Sequence, residues 1–339
     1  MTTTGPGTQR GAELDARRVG VMLPRDLPVD LVLPYARRVE ELGFDELWVV
    51  EDLGFRGGIA QAGVVLASTS HLVVGIGILP AGARNAAFAA MEVATLAQLF
   101  PGRVIAGIGH GMDGWMRSVG AWPASPLTLL DEHTTAVREL LRGRPGPASG
   151  RYVDVEGVVL EEVPSVVPPV VLGVRGPKSL ALAGRVAEGI LLAEPSPPEY
   201  IRAARSAAGF TGAAPADEGP REVIVYDVAA VAADSAAALA AVRPGLVWVG
   251  DRTSAPHVAA LPFADDLAAL RARCSTRQEF VAAMPDEWVA RLSLAGTPDE
   301  VAAAITARHD AGATCVVMSP AGGDPLAALD ALASARPQA

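Results

Sequence analysis

The sequence predicts a (β/α)8 barrel, and three observations carry that expectation. Apolar, strand-like runs alternate with helix-like stretches eight times along the 339 residues. The strand-like runs are continuously apolar, as parallel strands covered on both faces must be. Nothing in the chain reads as a sheet edge. An open doubly wound sheet shares the alternation, but a count of eight favours closure.

Residues 19–23 make the first strand. Asp30 is placed to cap a helix whose apolar face is Leu31, Tyr35, Val39 and Leu42, and Gly43 stops it. Residues 46–50 are the second strand, followed by a helix through Ala60, Val64 and Ala67. The third strand covers 72–79 and its helix 86–99, ended by Pro101-Gly102. The fourth pair is 103–108 and 126–141. A Gly/Pro-rich stretch, 143–169, interrupts the rhythm and predicts a hairpin of 152–155 with 158–162. Strand five is 170–172, with a helix from about Ser179 to Val186. Strand six is 189–192 with helix 198–208, and strand seven is 222–231. Residues 234–290 read as a helical insertion before the last strand, punctuated by Pro244, Pro256, Pro262 and Pro285. Thr297-Pro298-Asp299-Glu300 is a helix start with a capping box. Strand eight is 314–318 and the final helix 325–335. Residues 1–18 read as a disordered tail ahead of one barrel domain, 19–336.

Composition narrows the function. The formal net charge of −10 argues against a nucleic-acid binder, whose footprint is basic. No apolar run is long enough for a membrane span, and the first residues lack a signal-peptide core. Two cysteines, Cys274 and Cys315, form neither a disulfide framework nor a metal cluster. These features predict a cytoplasmic protein without metal, membrane or nucleic-acid partners.

A barrel places its chemistry at the carboxyl ends of its strands. Strand two ends in the adjacent carboxylates Glu51 and Asp52. Strand three ends in Gly75-Ile76-Gly77-Ile78-Leu79-Pro80, where glycines allow close approach of a flat ligand. Strand four ends in Gly109-His110-Gly111, with Trp115 beyond as a candidate pocket wall. Strand six ends at Ala193-Glu194. After strand five comes Gly173-Val174-Arg175-Gly176-Pro177-Lys178-Ser179, which holds the chain's only lysine. A strand, a glycine-broken turn and a helix with a cation in its first turn suit a phosphate, because free amides and the helix dipole point at the anion. The spacing is neither the Walker pattern nor the dinucleotide fingerprint. No Ser/His/Asp or Cys/His arrangement supports nucleophilic hydrolysis.

The segments 43–52, 75–80 and 107–111 resemble those of luciferase-like flavin and deazaflavin oxidoreductases. So do Gly176-Pro177-Lys178, the following 182–189, and the 294–300 helix start. The resemblance covers about residues 19–335. It implies a TIM barrel, often dimeric, that uses FMN or the deazaflavin coenzyme F420, and the chain looks most like the branch containing methylenetetrahydromethanopterin reductase. By position, the resemblance places the ring against strand three with a cis peptide at Gly77-Ile78. It places the phosphate on Gly176, Pro177, Lys178 and Ser179 with Ala193 and Glu194 nearby, and the ribityl chain along His110, Gly111 and Met112. Glu51 matches an acid beside the ring. Two departures stand out: Glu51-Asp52 replaces the common Asp-His, and Ala187-Glu188-Gly189 replaces Ala-Asp-Gly.

The expected activity is hydride transfer between the reduced deazaflavin and a C=C, C=N or C=O bond, with Asp52, Glu51 and His110 as candidate acids in that order. An FMN-dependent monooxygenase is the first alternative, and a non-catalytic flavin-binding accessory protein the second. Trp248, Phe263, Phe280 and Trp288 in the insertion suggest an apolar or peptide-like substrate, and a homodimer is the expected assembly.

Overall fold

The computed structural model describes residues 17–211 and 220–337, so most of the expected tail lies outside the described residues. Nine parallel strands form one sheet in the order β6-β5-β4-β3-β2-β1-β9-β7-β8, and β6 also pairs with β7. That last pairing closes an eight-stranded barrel and leaves β8 outside it. The first half is β1 (Arg18–Met22), α1 (Val32–Glu41), β2 (Glu46–Val49), α2 (Gly58–Ser68), β3 (Val73–Pro80), α3 (Ala86–Leu99), β4 (Val104–Gly109), α4 (Asp113–Ser118) and α5 (Pro126–Leu141). Then come β5 (Val170–Gly173), α6 (Pro177–Val186), β6 (Gly189–Leu192), α7 (Pro198–Ala207) and β7 (Glu222–Val231). The insertion holds α8 (Ser235–Val242), α9 (Ala255–Val258), α10 (Ala264–Arg273), α11 (Arg277–Ala283) and α12 (Asp286–Arg291). The chain returns through β8 (Leu294–Gly296), α13 (Pro298–Asp310), β9 (Cys315–Pro320) and α14 (Pro325–Ala333). Among the described residues no helix is long and apolar enough to cross a membrane.

The apolar residues sort into three layers. Trp48, Ile105, Val171, Leu191, Ile224, Tyr226, Cys315 and Val317 cluster inside the barrel. A larger layer lies between strands and helices, from Val21 and Tyr35 round to Leu329. A third cluster, with Val242, Leu246, Phe280 and Leu292, is the insertion's own core. The first two layers follow from alternation along the strands, with one set of side chains facing inward and the other meeting the helices.

Several expectations need correction. The 152–155/158–162 hairpin is absent: Glu132 on α5 accepts the amides of Arg151, Tyr152 and Val153 at 2.7–3.1 Å, giving those groups a carboxylate partner instead of a strand. Asp30 lies in a short 3-10 turn and α1 starts at Val32 with no side-chain cap. Helix α2 buries Gln61, Ala62, Val65 and Leu66, so Ala60, Val64 and Ala67 form its outer face. Residues 294–296, expected only as the approach to a helix, add the strand β8. The capping box at Thr297 and Glu300 is present as expected, as is the glycine stop at Gly43, with φ +76°.

Arg18, assigned by sequence to the tail, opens β1 and is buried at the closed end of the barrel. It pairs with Glu46 at 2.7 Å and also with Glu222. Thr314 donates to Glu222 at 2.7 Å, and the Trp48 indole N–H donates to Glu46 at 2.7 Å. Burial pushes the neighbouring Cys315 thiol well above its usual range, so it stays protonated.

Candidate active site

The mouth of the barrel is floored by a socket of glycines. Strand β3 shifts register against β4 between Ile76 and Leu79, and the Gly77–Ile78 peptide is cis. The Ile78 side chain then rests where Cβ atoms on β4 and β5 would stand. A Cβ at Gly173 would meet Ile78 Cγ2 at 2.5 Å, and one at Gly109 would meet Ile78 Cδ1 at 2.9 Å. The other glycines of β3 accommodate protein, not a ligand. A Cβ at Gly75 would collide with the Trp48 indole at 2.4 Å, and one at Gly77 with Tyr226 Oη at 2.3 Å. The ring-sized floor expected at 75–80 is therefore confined to the Ile78 bulge.

Glu51 is fully committed to the scaffold. Arg84 donates to its two oxygens at 2.5 and 2.8 Å, and the Gly58 amide at the head of α2 donates at 2.8 Å. Both oxygens are thus already taken up by donors of the scaffold, which argues against the expected role of Glu51 as an acid toward substrate. Asp52 faces the mouth and pairs with Arg25 at 2.6 Å, while the Arg25 guanidinium lies over the Phe55 ring at 4.9 Å. His110 Nε2 lies 3.1 Å from Ser179 Oγ, joining the β4 loop to the first turn of α6. Burial lowers the His110 pKa against the opposing pull of the Pro126 carbonyl, favouring a neutral ring beside Ser179.

The helix after the 173–179 loop starts two residues earlier than predicted. Gly176 is the N-cap of α6 and Pro177 its first residue; no side chain caps the end. Space around Gly176 is open to 4 Å, and Lys178 is exposed on the first turn. An uncapped helix start with an open glycine, a lysine and a serine hydroxyl tied to His110 has the donors that a phosphoryl group needs. Met112 is exposed beside this loop, whereas Trp115 on α4 is half-buried.

Ala193 and Glu194 follow β6 directly. The surrounding protein raises the Glu194 carboxyl pKa by desolvating it. The nearby Asp227 and Asp52 add to that rise, and its own amide and Arg175 oppose it. Spacing offered no sign of Arg84, Asp227 or His257, because each acts across elements distant in the chain. Of the four insertion aromatics expected near the substrate, Phe280 is buried in the insertion core. Phe263 stacks on Trp288 with centroids 4.9 Å apart, so only Trp248 is exposed, at 58%.

Known proteins agree with this architecture. The sequence model of the luciferase-like monooxygenase family matches residues 10–315. A 5,10-methylenetetrahydromethanopterin reductase of Methanolobus tindarius is 29% identical over 301 residues, covering 87% of this chain and 91% of the relative. An F420-dependent glucose-6-phosphate dehydrogenase of Microbacterium testaceum is 30% identical over 180 residues, about half of each chain. Among solved structures, the coenzyme F420-dependent tetrahydromethanopterin reductase of Methanopyrus kandleri shares the fold with a TM-score of 0.78. It is 21% identical, with 94% of this chain and 98% of that one covered. By the match along most of its length, and with relatives that are reductases and dehydrogenases, this chain is an enzyme and belongs to the luciferase-like monooxygenase family.

Proposed function

We propose that this chain is a coenzyme F420-dependent oxidoreductase that reduces, or forms, a C=C, C=N or C=O bond. The observation that carries the reading is the uncapped α6 start at Gly176, Pro177, Lys178 and Ser179, set beside the Ile78 floor in a chain whose relatives include F420-dependent enzymes. The α6 turn would hold the phosphoryl arm, with Ala193 and Glu194 beside it; His110, Gly111 and Met112 would flank the ribityl chain. Gly77 and Ile78 would support the ring. When bound, the deazaflavin supplies hydride chemistry. The protein's share is to grip the carrier, orient the acceptor and keep water out of the mouth.

The rim favours an apolar substrate. Leu53, Phe55, Met112 and Trp248 are each about half exposed, at 49, 48, 50 and 58%. Apolar side chains collected at the site end suit a ligand that covers them.

Incubation with F420 and with FMN, followed by desalting and absorption spectroscopy, tests the cofactor. Retention of F420 is expected, and Lys178→Ala is expected to weaken it roughly 10- to 100-fold, the loss of one charge-assisted contact. Retention of FMN alone, with oxygen-dependent turnover, would support the second reading, a monooxygenase, which the family's description favours.

The outer faces of α2 and α3 fit a second copy of the chain. Ala60, Val64 and Ala67 on α2 are small and exposed, while Phe88 and Leu99 on α3 protrude at 63 and 67% exposure. Large side chains beside a small-residue face are self-complementary across a two-fold axis. Light scattering is expected to show a dimer, and Phe88→Asp with Leu99→Asp a monomer. A monomeric wild type at micromolar concentration would remove this assembly.

A further inference from the structure

We propose that Phe55 and Trp248 are two jaws across the barrel mouth that hold the body of the substrate, and that this body is a flat aromatic or conjugated ring. The inference rests on the oxidoreductase reading and names the substrate class for its site.

Both side chains expose a large apolar ring, Phe55 at 48% and Trp248 at 58%. Each ring is braced in the same way. The Arg277 guanidinium lies 4.0 Å from the Trp248 ring centroid, and Asp251 pins that guanidinium at 2.7 Å. The Arg25 guanidinium lies 4.9 Å from the Phe55 centroid, and Asp52 pins it at 2.6 Å. One face of each ring is therefore taken by a cation. A ring that stays half exposed with one face covered turns its other face outward. Such a face is unfavourable in water and ready to stack on a partner.

The backbone under each ring is fixed as well. The Phe55 amide donates to the Asp52 carbonyl at 3.0 Å, closing the turn between the ring and the acid of its own brace. Across the mouth, the Asp251 amide donates to the Trp248 carbonyl at 3.0 Å, and the Ser254 hydroxyl donates to the same carbonyl at 2.9 Å. Arg175, in the loop after β5, donates to the Thr253 carbonyl at 3.3 Å. His257 Nδ1 donates to the Pro195 carbonyl, after β6, at 2.9 Å, and its ring packs on Tyr200 with centroids 4.4 Å apart. Residues 248–257 are thus moored to the β5 and β6 sides of the mouth, which pre-organises the indole before any ligand arrives.

Topology sets the two jaws opposite one another. Round the closed barrel the order is β1-β2-β3-β4-β5-β6-β7-β9. In a cylinder of eight strands β1 faces β5 and β2 faces β6 across the axis. Arg25 and Phe55 follow β1 and β2, whereas the moorings of the Trp248 segment follow β5 and β6. The Ile78 floor on β3 lies between the two sides. The other rim residues, Leu53 and Met112, accept any apolar shape, but two fixed ring faces select a flat one.

Calorimetric titration, with and without saturating F420, tests this with 2-naphthol and its saturated counterpart decahydro-2-naphthol. The two alcohols share a skeleton and differ in flatness. Wild type is expected to bind 2-naphthol at least about tenfold more tightly. Trp248→Leu and Phe55→Leu keep apolar bulk but lose the ring. Each is expected to weaken 2-naphthol about tenfold and decahydro-2-naphthol less than about threefold. Trp248→Tyr should restore most of the loss, which a merely structural role would not produce. Both positions lie at the surface, so the Leu variants are expected to melt like wild type. The proposal is overturned by equal affinity for the two alcohols, by no binding of 2-naphthol to wild type, or by Leu variants that bind 2-naphthol as wild type does. Turnover of cyclohexanecarbaldehyde with reduced F420 as efficient as that of 2-naphthaldehyde overturns it too. Failure to retain F420 removes the cofactor reading alone, because the titration without F420 still decides between flat and saturated ligands.

Discussion

Arg18→Leu is expected to destabilise the barrel by about 3–5 kcal/mol, the cost of leaving a buried charge without its partner. The guanidinium sits between Glu46 and Glu222 at the closed end, and Glu46 is wholly inaccessible. Burial already raises the Glu46 pKa above its ordinary 4.5, and Arg18 pulls it back. Without Arg18 that pKa climbs further. The folded state would then keep a proton that the unfolded chain releases, so stability should fall as pH rises from about 4.5 through the folded value. Urea denaturation of wild type and variant between pH 4 and 8 reads both effects. A variant with unchanged midpoint and a flat pH profile would show that the triad contributes nothing.

Gly107→Ala is expected to be the more damaging of two changes in the Ile78 socket. Its new Cβ would lie 2.2 Å from the Ile76 carbonyl oxygen, a backbone atom of the β3 bulge that cannot rotate aside. Gly173→Ala meets only the Ile78 Cγ2 methyl, at 2.5 Å, and a side chain can turn. Overpacking costs about 1–3 kcal/mol, with the backbone clash at the upper end or beyond. Because the same bulge supports the proposed ring site, Gly107→Ala should also weaken F420 retention at least tenfold. Gly176→Ala, with open space around it, should unfold like wild type. Thermal melts and fluorescence titration separate the three; equal melting of Gly107→Ala and wild type would refute the packing argument.

The barrel was legible because periodicity is local. Runs such as 46–50 and 189–192 are apolar whatever surrounds them, and Gly43 and Thr297 mark boundaries by their own backbone chemistry. The order of elements and the strand–turn–helix join at 173–179 followed directly. The site's charge pattern did not. Glu51 looks like a catalytic acid until Arg84, from a different loop, is seen to occupy it. Arg18 looks like tail because its partners, Glu46 and Glu222, are far along the chain. The 152–162 segment has strand-like composition, but Glu132 claims its amides. In each case a non-local partner decided the outcome, and spacing carries no record of such partners.

The paired β7 and β8 have a consequence for how such enzymes diversify. Ala229 to Val231 run beside Leu294 to Gly296, and the Ala232 amide donates to the Gly296 carbonyl at 3.1 Å. The excursion between them therefore departs and rejoins at one point, around a hydrophobic centre of its own. A cassette with such a footing can be exchanged or resized while the closed cylinder beneath keeps its shape. His257 sets the limit on that freedom, since its bond to the Pro195 carbonyl reaches the turn bearing Glu194. Any replacement of the cassette must also re-seat the turn at 193–196, which couples the shape of the covering segment to the end of β6.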